Sequence, residues 1–256
     1  MRLAELFPQA DIPAGLVERE ISGISADSRT VTKDMVFFAV PGTRQDGLSH
    51  VPQAIERGAV AIIAEADPRA PIGGAAFIKT ENVRSCLAHA AARIYSRQPE
   101  TIVAVTGTSG KTSVADFTRQ IWMALGKEAA SIGTLGVVTA QGPESGSLTT
   151  PDPVTLHKTL DELARGGVTH LALEASSHGI QQRRLDGVRL TAAAFTNLSR
   201  DHLDYHPTLE AYFAAKLELF TRLLPPGKPA VIDADSDVAE KVSAACEQHG
   251  LRILSA

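Results

Sequence analysis

The stretch IVAVTGTSGKTSVADF, residues 102–117, decides how the larger part of this chain is expected to fold. Its apolar first half predicts a buried strand that ends at Thr106, and a polar loop with two glycines follows. A helix is predicted to begin at once, near Thr112. A strand, a glycine-rich Gly-Lys-Thr loop and a helix in this order predict a phosphate-binding loop, because backbone N–H groups at a helix N-terminus can surround an anion.

The loop is shorter than the full G-x-x-x-x-G-K-[ST] pattern, since it has the form G-x-x-G-K-T from Gly107 to Thr112. In such a loop Lys111 is expected to neutralise the β- and γ-phosphates, while the Thr112 hydroxyl reaches Mg²⁺. The alternative is a glycine-rich turn that only caps a helix. The segment VTHLALE, residues 168–174, supplies a strand-end carboxylate at Glu174. Because no N-K-x-D guanine-recognition stretch occurs, ATP is the favoured nucleotide.

Apolar runs alternate with helical patterns on both sides of this loop, which predicts an α/β protein. The sequence predicts a small N-terminal α/β domain, residues 1–98, followed by a doubly wound, mostly parallel P-loop-type ATPase domain, residues 99–256. Strands are predicted at 35–40, 59–64, 76–79, 101–106, 168–174, 191–196 and 230–233. Helices are predicted at 51–57, 83–95, 112–125, 154–165 and 209–223. The stretch QGPESGS, residues 141–147, is predicted to be a flexible loop, and LRILSA, residues 251–256, a further strand.

Composition narrows the class of protein. The chain has 256 residues, of which 25 are Lys or Arg and 29 are Asp or Glu, so its formal charge is −4. Without a basic run, nucleic acid is not an expected partner. The N-terminus has neither a signal-peptide pattern nor an apolar stretch of membrane-spanning length, which favours a cytoplasmic protein. Cys86 and Cys246 lie far apart without metal-ligand spacing, as is usual in a reducing compartment.

Two polar segments follow predicted strands and are expected to meet at the carboxyl edge of the sheet, where ligands bind in open α/β folds. The first is ASSHGIQQRR, residues 175–184, for which an ordinary solvated loop is an equally acceptable interpretation. The second is TNLSRDHLDYH, residues 196–206, which is dense in ligand-type side chains. Those side chains are Asn197, Asp201, His202, Asp204 and His206. A structural role for the histidines is the alternative to a ligand site.

Taken together, these segments resemble the Mur ligases. The resemblance rests on GTSGKT, on TTPDP at 149–153, on LEASSHG at 173–179, on NLSRDHLDYH at 197–206 and on AAK at 214–216. It runs in order from about residue 24 to residue 220 and is closest to the MurE type. The segment ADSRTVTKDMVFFAVPGTRQDG, residues 26–47, resembles the part of the family that holds the UDP end of the substrate.

The resemblance implies an ATP-driven amide ligation in bacterial cell-wall synthesis. A third amino acid, diaminopimelate or lysine, would be added to UDP-MurNAc-L-Ala-D-Glu by way of an acyl phosphate. It also implies a set of site residues. ATP phosphates would contact Gly107, Thr108, Ser109, Gly110, Lys111, Thr112 and Ser113. Substrate would contact Ala26, Ser28, Thr43, Arg44, Gln45, Thr149, Thr150, Ser176, Gln182 and Arg184. Mg²⁺ would bind at Thr112, Glu174 and His202. The catalytic residues would be Lys111, Glu174, His202 and Lys216.

Lys216 matches the lysine that the family carboxylates with CO₂. The resulting carbamate is an anion and could hold a second Mg²⁺ that an ammonium would repel. It requires a neutral amine, so we expect the site to lower the pKa of Lys216. Considered without the family, a lysine on the predicted 209–223 helix would be interpreted as a solvated surface residue.

The family's third, C-terminal domain, which carries amino-acid selectivity, has no counterpart in this sequence, so the chain is expected to be a fragment whose second domain is cut short. A monomer is expected. Three hypotheses remain open. The chain is the amino-terminal part of a MurE-type ligase, or a binding module for UDP-MurNAc-dipeptide or ATP without catalysis, or part of another ligase of the superfamily. The LEASSHG and NLSRDHLDYH segments argue against the third hypothesis.

Overall fold

The computed structural model describes residues 1–42, 46–144, 146, 148–201 and 205–256. The chain divides into two compact units, Met1–Ser96 and Arg97–Ala256. Within the described part of the chain, no helix has both the length and the apolar character needed to cross a membrane.

The first unit is built on a four-stranded parallel sheet in the order β1-β2-β3-β4. Its strands are β1 Gly23–Ser25, β2 Met35–Phe38, β3 Ala61–Ala64 and β4 Ala76–Lys79. Its α-helices are α1 Leu3–Leu6, α2 Val51–Glu56 and α3 Val83–Ile94. The residues of β3 are all buried, as expected for a parallel strand that is covered on both faces.

The second unit is built on an eight-stranded sheet in the order β12-β11-β10-β5-β9-β6-β7-β8. Its strands are β5 Thr101–Thr106, β6 Ala129–Gly133, β7 Gly136–Thr139, β8 Gly142–Glu144, β9 His170–Glu174, β10 Ala192–Phe195, β11 Pro229–Ile232 and β12 Arg252–Ser255. The six strands from β12 to β6 pair in parallel, whereas β7 and β8 add an antiparallel edge. Because the chain order reverses around β5, the carboxyl end of that strand opens into a crevice suited to a ligand.

Three of the helices described in the second unit begin after a capping side chain. The helices are α4 Lys111–Ala124, α5 Pro153–Arg165, α6 Ser177–Gln181, α7 Leu209–Glu218 and α8 Ala239–Gln248, and a π-helical segment, Leu219–Leu223, continues α7. At the start of α5 the Asp152 carboxylate accepts hydrogen bonds from the N–H groups of Val154 and Thr155, and Pro153 occupies the first turn.

Each unit has its own apolar core. In the second unit it includes Ile102 of β5, Leu171 of β9 and Phe195 of β10, all buried. In the first unit it includes Phe37 of β2 and Ile62 of β3. These cores fix the sheets, and with them the positions of the loops that follow the strands.

Two sequence-based expectations are wrong in detail. The expected flexible loop at 141–147 contains strand β8, which pairs antiparallel with β7. An edge strand is stabilised by backbone hydrogen bonds to its neighbour, and a sequence rich in Gly and Pro does not predict them. The possible solvated loop at 175–184 contains helix α6, whose Ser177, Gly179 and Ile180 are buried.

Candidate nucleotide and substrate site

The glycine-rich loop follows β5 directly and leads into α4 at Lys111. Gly107 has a φ of 144°, and a Cβ built on it would lie 1.9 Å from the Thr196 hydroxyl oxygen. Only glycine is compatible with so close an approach of the loop to the end of β10. The tight turn leaves the backbone N–H groups at the start of α4 available for an anion.

The segment after β10 holds this loop in shape. The N–H groups of Ser109 and Thr108 donate to the side-chain oxygen and the carbonyl oxygen of Asn197, each at 2.9 Å. The Thr196 hydroxyl donates to the Ser109 carbonyl at 2.7 Å, and the N–H of Ser199 donates to the Thr108 hydroxyl at 2.9 Å. The sequence predicts Asn197 at the carboxyl edge of the sheet. In the structure Asn197 hydrogen-bonds to the phosphate loop itself.

Lys111 folds back onto the loop that precedes it. Its Nζ donates to the carbonyl oxygens of Gly107 and Thr108, at 3.0 and 2.9 Å. Burial lowers the pKa of Lys111, while the negative charges of Glu174 and Asp201 oppose that shift. An ammonium held only by loop carbonyls in a partly buried site is well placed to exchange them for phosphate oxygens.

Glu174 stands at the end of β9 and is 2% exposed. Its carboxylate accepts hydrogen bonds from the Thr112 hydroxyl at 3.0 Å, from the Thr134 N–H at 2.8 Å and from the Thr134 hydroxyl at 3.3 Å. The Thr112–Glu174 pair therefore brings together a hydroxyl and a carboxylate, which are the oxygen donors that Mg²⁺ prefers. Thr134 had not been predicted from the sequence, since a single threonine after an unpredicted strand gives no signal.

A chain of hydrogen bonds leads from Glu174 to the residues that the resemblance assigned to substrate. The Thr150 hydroxyl donates to the Glu174 carbonyl at 2.8 Å and accepts from the Ser176 N–H at 3.0 Å. The Arg184 guanidinium donates to the Thr150 carbonyl at 2.7 Å and to the Gln182 amide oxygen at 2.8 Å. Thr149 joins this group because its hydroxyl lies 3.1 Å from that of Thr134.

Lys216 lies in α7 and is 1% exposed, so the interpretation as a solvated lysine is wrong. Its Nζ donates to the Gly107 carbonyl at 2.7 Å and lies 4.2 Å from the centre of the Tyr212 ring. Burial, reinforced by the positive charge of Lys111, lowers the pKa of Lys216 to about 7, and Asp201 opposes this. Burial thus shifts this pKa in the direction expected from the sequence and favours the neutral amine.

The described histidines of the two polar segments, His178 and His206, pack against aromatic rings. His206 is buried, and its Nε2 lies 2.9 Å from the Ser177 hydroxyl. Its ring contacts those of Tyr212 and His178, with centroids 5.1 and 5.6 Å apart, and the Tyr205 ring packs on His178 at 4.0 Å. Among the described histidines of these segments, His206 therefore has a packing role.

The loop, Glu174 and Lys216 line one cavity of about 350 Å³. Its lining consists of Thr108, Ser109, Gly110, Lys111, Thr112, Thr134, Thr149, Glu174, Ser176, Ser177, Asp201, Tyr212 and Lys216. Of the positions predicted for phosphate, metal and substrate in the second unit, residues 108–112, Thr149, Glu174, Ser176 and Lys216 line this cavity. Gly107, Ser113, Thr150, Gln182 and Arg184 are not among its described lining residues. Ser113 is exposed on the first turn of α4.

Some predicted positions lie elsewhere or are not described. In the first unit Ala26 is exposed, while Ser28 is buried and its hydroxyl donates to the Gln53 side-chain oxygen at 2.6 Å. The predicted residues Thr43, Arg44, Gln45, His202 and Asp204 lie outside the described residues. Within the described ranges no three His, Cys, Asp or Glu side chains form a metal-binding group.

A parallel sheet with a Gly-Lys-Thr loop at its carboxyl edge, facing a buried carboxylate, defines the second unit as a P-loop-type α/β domain. Comparison with known proteins gives the family. The Mur ligase middle domain matches residues 105–256, and the Mur ligase family catalytic domain matches residues 20–99. The chain belongs to the Mur ligase family.

Similar proteins share one description. The UDP-N-acetylmuramoyl-L-alanyl-D-glutamate–2,6-diaminopimelate ligase of Bradyrhizobium diazoefficiens is 52% identical over 257 residues, covering 100% of this chain and 52% of that protein. The Rhizobium meliloti protein of the same name is 55% identical over 246 residues, covering 95% and 50%. A solved structure of a ligase with this name superposes with a TM-score of 0.83 at 31% identity, covering 100% of this chain and 52% of that one. The chain thus spans about half the length of the relatives that it matches.

Proposed function

We propose that this chain supplies the ATP-binding and UDP-sugar-peptide-binding half of an amide ligase that adds 2,6-diaminopimelate to UDP-MurNAc-L-Ala-D-Glu. The observation that carries the proposal is the shared cavity, in which Lys111, Glu174 and Lys216 line one opening. The names of the similar ligases favour diaminopimelate over lysine as the third residue. In this proposal residues 1–98 bind the UDP end and residues 99–256 bind ATP.

ATP would bind with its phosphates on residues 107–113. Lys111 would leave the two loop carbonyls and neutralise phosphate charge, and the N–H groups at the start of α4 would hold the phosphate oxygens. Thr112 and Glu174, together with His202, would hold Mg²⁺, which suits their oxygen and nitrogen donors. When bound, the ion neutralises the charge on the phosphate oxygens.

The substrate would contact Thr149, Thr150, Ser176, Gln182 and Arg184 in the second unit, and Ala26, Ser28 and residues 43–45 in the first. Arg184 already points two donors at Thr150 and Gln182, so it is held in one orientation before any ligand arrives. A guanidinium fixed in this way is suited to a carboxylate, and the dipeptide ends in carboxylates.

The ligation requires that the protein position the reactants and neutralise charge. It requires no nucleophile from the protein. The substrate carboxylate attacks the γ-phosphorus of ATP, which releases ADP and leaves an acyl phosphate. The amine of the incoming amino acid then attacks the acyl carbon, loses a proton, and expels phosphate as the amide forms. Lys111 and the loop dipoles stabilise the charge on the transferred phosphoryl group.

Lys216 would act as a carbamate. The ammonium first loses a proton, and the neutral amine then attacks CO₂ and loses a second proton, so that a cation becomes an anion in the cavity that Glu174 lines. The support for this step is the burial of Lys216 and the low pKa that burial causes. As an anion it would add an oxygen ligand for a second Mg²⁺.

The test is a pair of binding measurements by calorimetry on the purified chain, one with ATP and Mg²⁺ and one with UDP-MurNAc-L-Ala-D-Glu. We expect both to bind. UDP-MurNAc, which lacks the dipeptide, is the matched ligand and should bind more weakly because it cannot reach Arg184. Absence of binding of both ATP and the dipeptide substrate by the folded chain would refute the proposal.

Because the chain spans about half of each relative, a second candidate is a binding module that holds the same ligands without ligation. Incubation with ATP, Mg²⁺, UDP-MurNAc-L-Ala-D-Glu and diaminopimelate, with and without a separately supplied C-terminal domain of a similar ligase, separates the two. Formation of the tripeptide product in either mixture excludes the binding module. Ligand binding with no product in both mixtures supports it.

A further inference from the structure

The turn that presents Gln182 and Arg184 is held in an unfavourable backbone conformation. Between them Arg183 has a φ of 61°, in the left-handed region that residues with a Cβ rarely adopt. Helix α6 ends here, and the N–H of Arg184 donates to the Gly179 carbonyl at 2.9 Å. Such a conformation persists only where the surroundings over-determine it.

Arg222 makes contacts on both sides of this turn. Its guanidinium donates to the Ile180 carbonyl at 3.0 Å, before the turn, and to the Asp186 carboxylate, after it. Its Nε donates to Glu218 at 2.7 Å, and Glu218 also lies 3.6 Å from the Arg183 guanidinium. Arg222 therefore contacts residues before and after the turn directly, and it is linked to the Arg183 side chain through Glu218.

These contacts are sheltered and charge-complementary. Asp186 is 5% exposed, and the side chain of Arg222 is 24% exposed. The Asp186 carbonyl is itself 2.9 Å from the buried His157 ring on α5. A buried carboxylate that loses its arginine partner retains an uncompensated charge, so the pair is costly to break.

Arg222 also connects the turn to the helix that carries Lys216. Glu218 is the last residue of α7, and Arg222 lies in the π-helical segment that continues it. Segments of π-helix are rare and recur near functional sites, where they redirect side chains. Here the segment carries the guanidinium that contacts Ile180 and Asp186.

We propose that Arg222 is a positioning residue that holds the turn at Arg183, and through it Gln182 and Arg184, in the geometry that binds the substrate. This inference rests on the proposed function for the identity of the ligand. A positioning role differs from a general stabilising role in two ways. Loss of Arg222 should weaken substrate binding more than ATP binding, and the loss should depend on the backbone conformation of Arg183.

The experiment compares Arg222→Gln with a matched control, Arg165→Gln. Arg165 likewise pairs with a buried aspartate, Asp161, on its own helix α5. Calorimetry gives the affinities for UDP-MurNAc-L-Ala-D-Glu and for ATP with Mg²⁺. We expect Arg222→Gln to weaken substrate binding by about tenfold, the order expected for a lost charge-assisted contact, and ATP binding by less than about twofold. Arg165→Gln should change neither.

A second variant tests the role of the turn directly. Glycine adopts a positive φ without strain, so Arg183→Gly added to Arg222→Gln should recover most of the lost substrate affinity. Arg222→Lys keeps the charge but not the fork of donors, so it should lose affinity too. If Arg222→Gln does not fold, Arg222→Lys with and without Arg183→Gly gives the same comparison.

Hydrogen exchange supplies a readout that needs no ligand. In Arg222→Gln the amides of Arg184 and Asp186 should exchange about tenfold faster, and Arg183→Gly should reverse this. Unchanged exchange, or equal losses of ATP and substrate affinity without rescue, would overturn the proposal. If the wild-type chain binds no UDP-MurNAc-L-Ala-D-Glu, the proposed function fails, and exchange alone decides whether Arg222 holds the turn.

Discussion

Lys216 Nζ donates a hydrogen bond to the carbonyl oxygen of Gly107 at 2.7 Å, although the two residues are 109 positions apart in the sequence. The same carbonyl accepts from Lys111 Nζ at 3.0 Å. A buried and a partly buried amine therefore meet at one oxygen of the phosphate loop. Their mutual repulsion contributes to the low pKa of Lys216, and an anion entering the cavity would relieve it.

Changing Lys111 to Ala should weaken ATP binding by about tenfold or more without unfolding the chain. The variant loses a charged contact to the phosphates but no part of the apolar core, since Lys111 is only partly buried and its Nζ hydrogen-bonds to loop carbonyls. Calorimetry with ATP and Mg²⁺ measures the effect, and circular dichroism checks the fold. Unchanged affinity in a folded variant would mean that the loop is only a helix cap.

Changing Asn197 to Ala should also weaken ATP binding, by about three- to tenfold, although its side chain bonds only to the backbone of the loop. Without its carboxamide the Ser109 N–H loses its partner and the loop becomes less ordered. Asn197→Asp retains an acceptor for the Ser109 N–H but adds a negative charge, so it should also weaken ATP binding. Equal ATP affinities for wild type and Asn197→Ala would contradict this role.

Changing Gly133 to Ala should displace Glu174. A Cβ at Gly133 would lie 2.0 Å from the Glu174 carboxylate oxygen, closer than any real contact. We expect the Mg²⁺-dependent part of ATP binding to fall by about tenfold, because the carboxylate moves from Thr112. Gly74→Ala is the control, since its Cβ would meet nothing within 4 Å. Titration of ATP with and without Mg²⁺ measures the difference, which should be unchanged if Glu174 is not a ligand.

The stability of the chain should rise with pH because of Lys216. Its pKa is about 7 in the folded chain against 10.5 for an ordinary lysine, so between these values the unfolded state binds more protons. The contribution increases by at most about 1.4 kcal/mol per pH unit over that window and is constant below it. Urea unfolding at pH 6, 7.5 and 9 in CO₂-free buffer measures it. Lys216→Met should remove this part of the slope, and parallel curves for both proteins would contradict the assignment.

Carboxylation of Lys216 should be directly visible. With ¹³C-labelled bicarbonate near pH 8, the chain should show a carbamate carbon signal that disappears in Lys216→Ala and on acidification, because the adduct needs a neutral amine. In a full-length ligase Lys216→Ala should lose activity and partly regain it with acetate. A carbamate signal that persists in Lys216→Ala would assign it to another amine.

The sequence by itself determined the class of fold and the position of the phosphate loop. Strand β5 occupies the predicted residues 101–106, and helices α3 to α5 lie within about two residues of their predicted bounds. These elements are long and periodic, and their caps are local, so neighbouring residues suffice to specify them. The motifs GTSGKT, LEASSHG and NLSRDHLDYH also sufficed to identify the family.

Only the tertiary structure decided how the remaining parts meet. Strands β6 to β8 escaped prediction because short strands depend on their pairing partners more than on their own residues. Long-range contacts bury Lys216 and bring it to Gly107. Other contacts between distant residues place Arg222 against the turn at Arg183. Periodicity reports which face of an element is apolar, but long-range hydrogen bonds and the desolvation that shifts a pKa arise only once the sheet has brought these elements together.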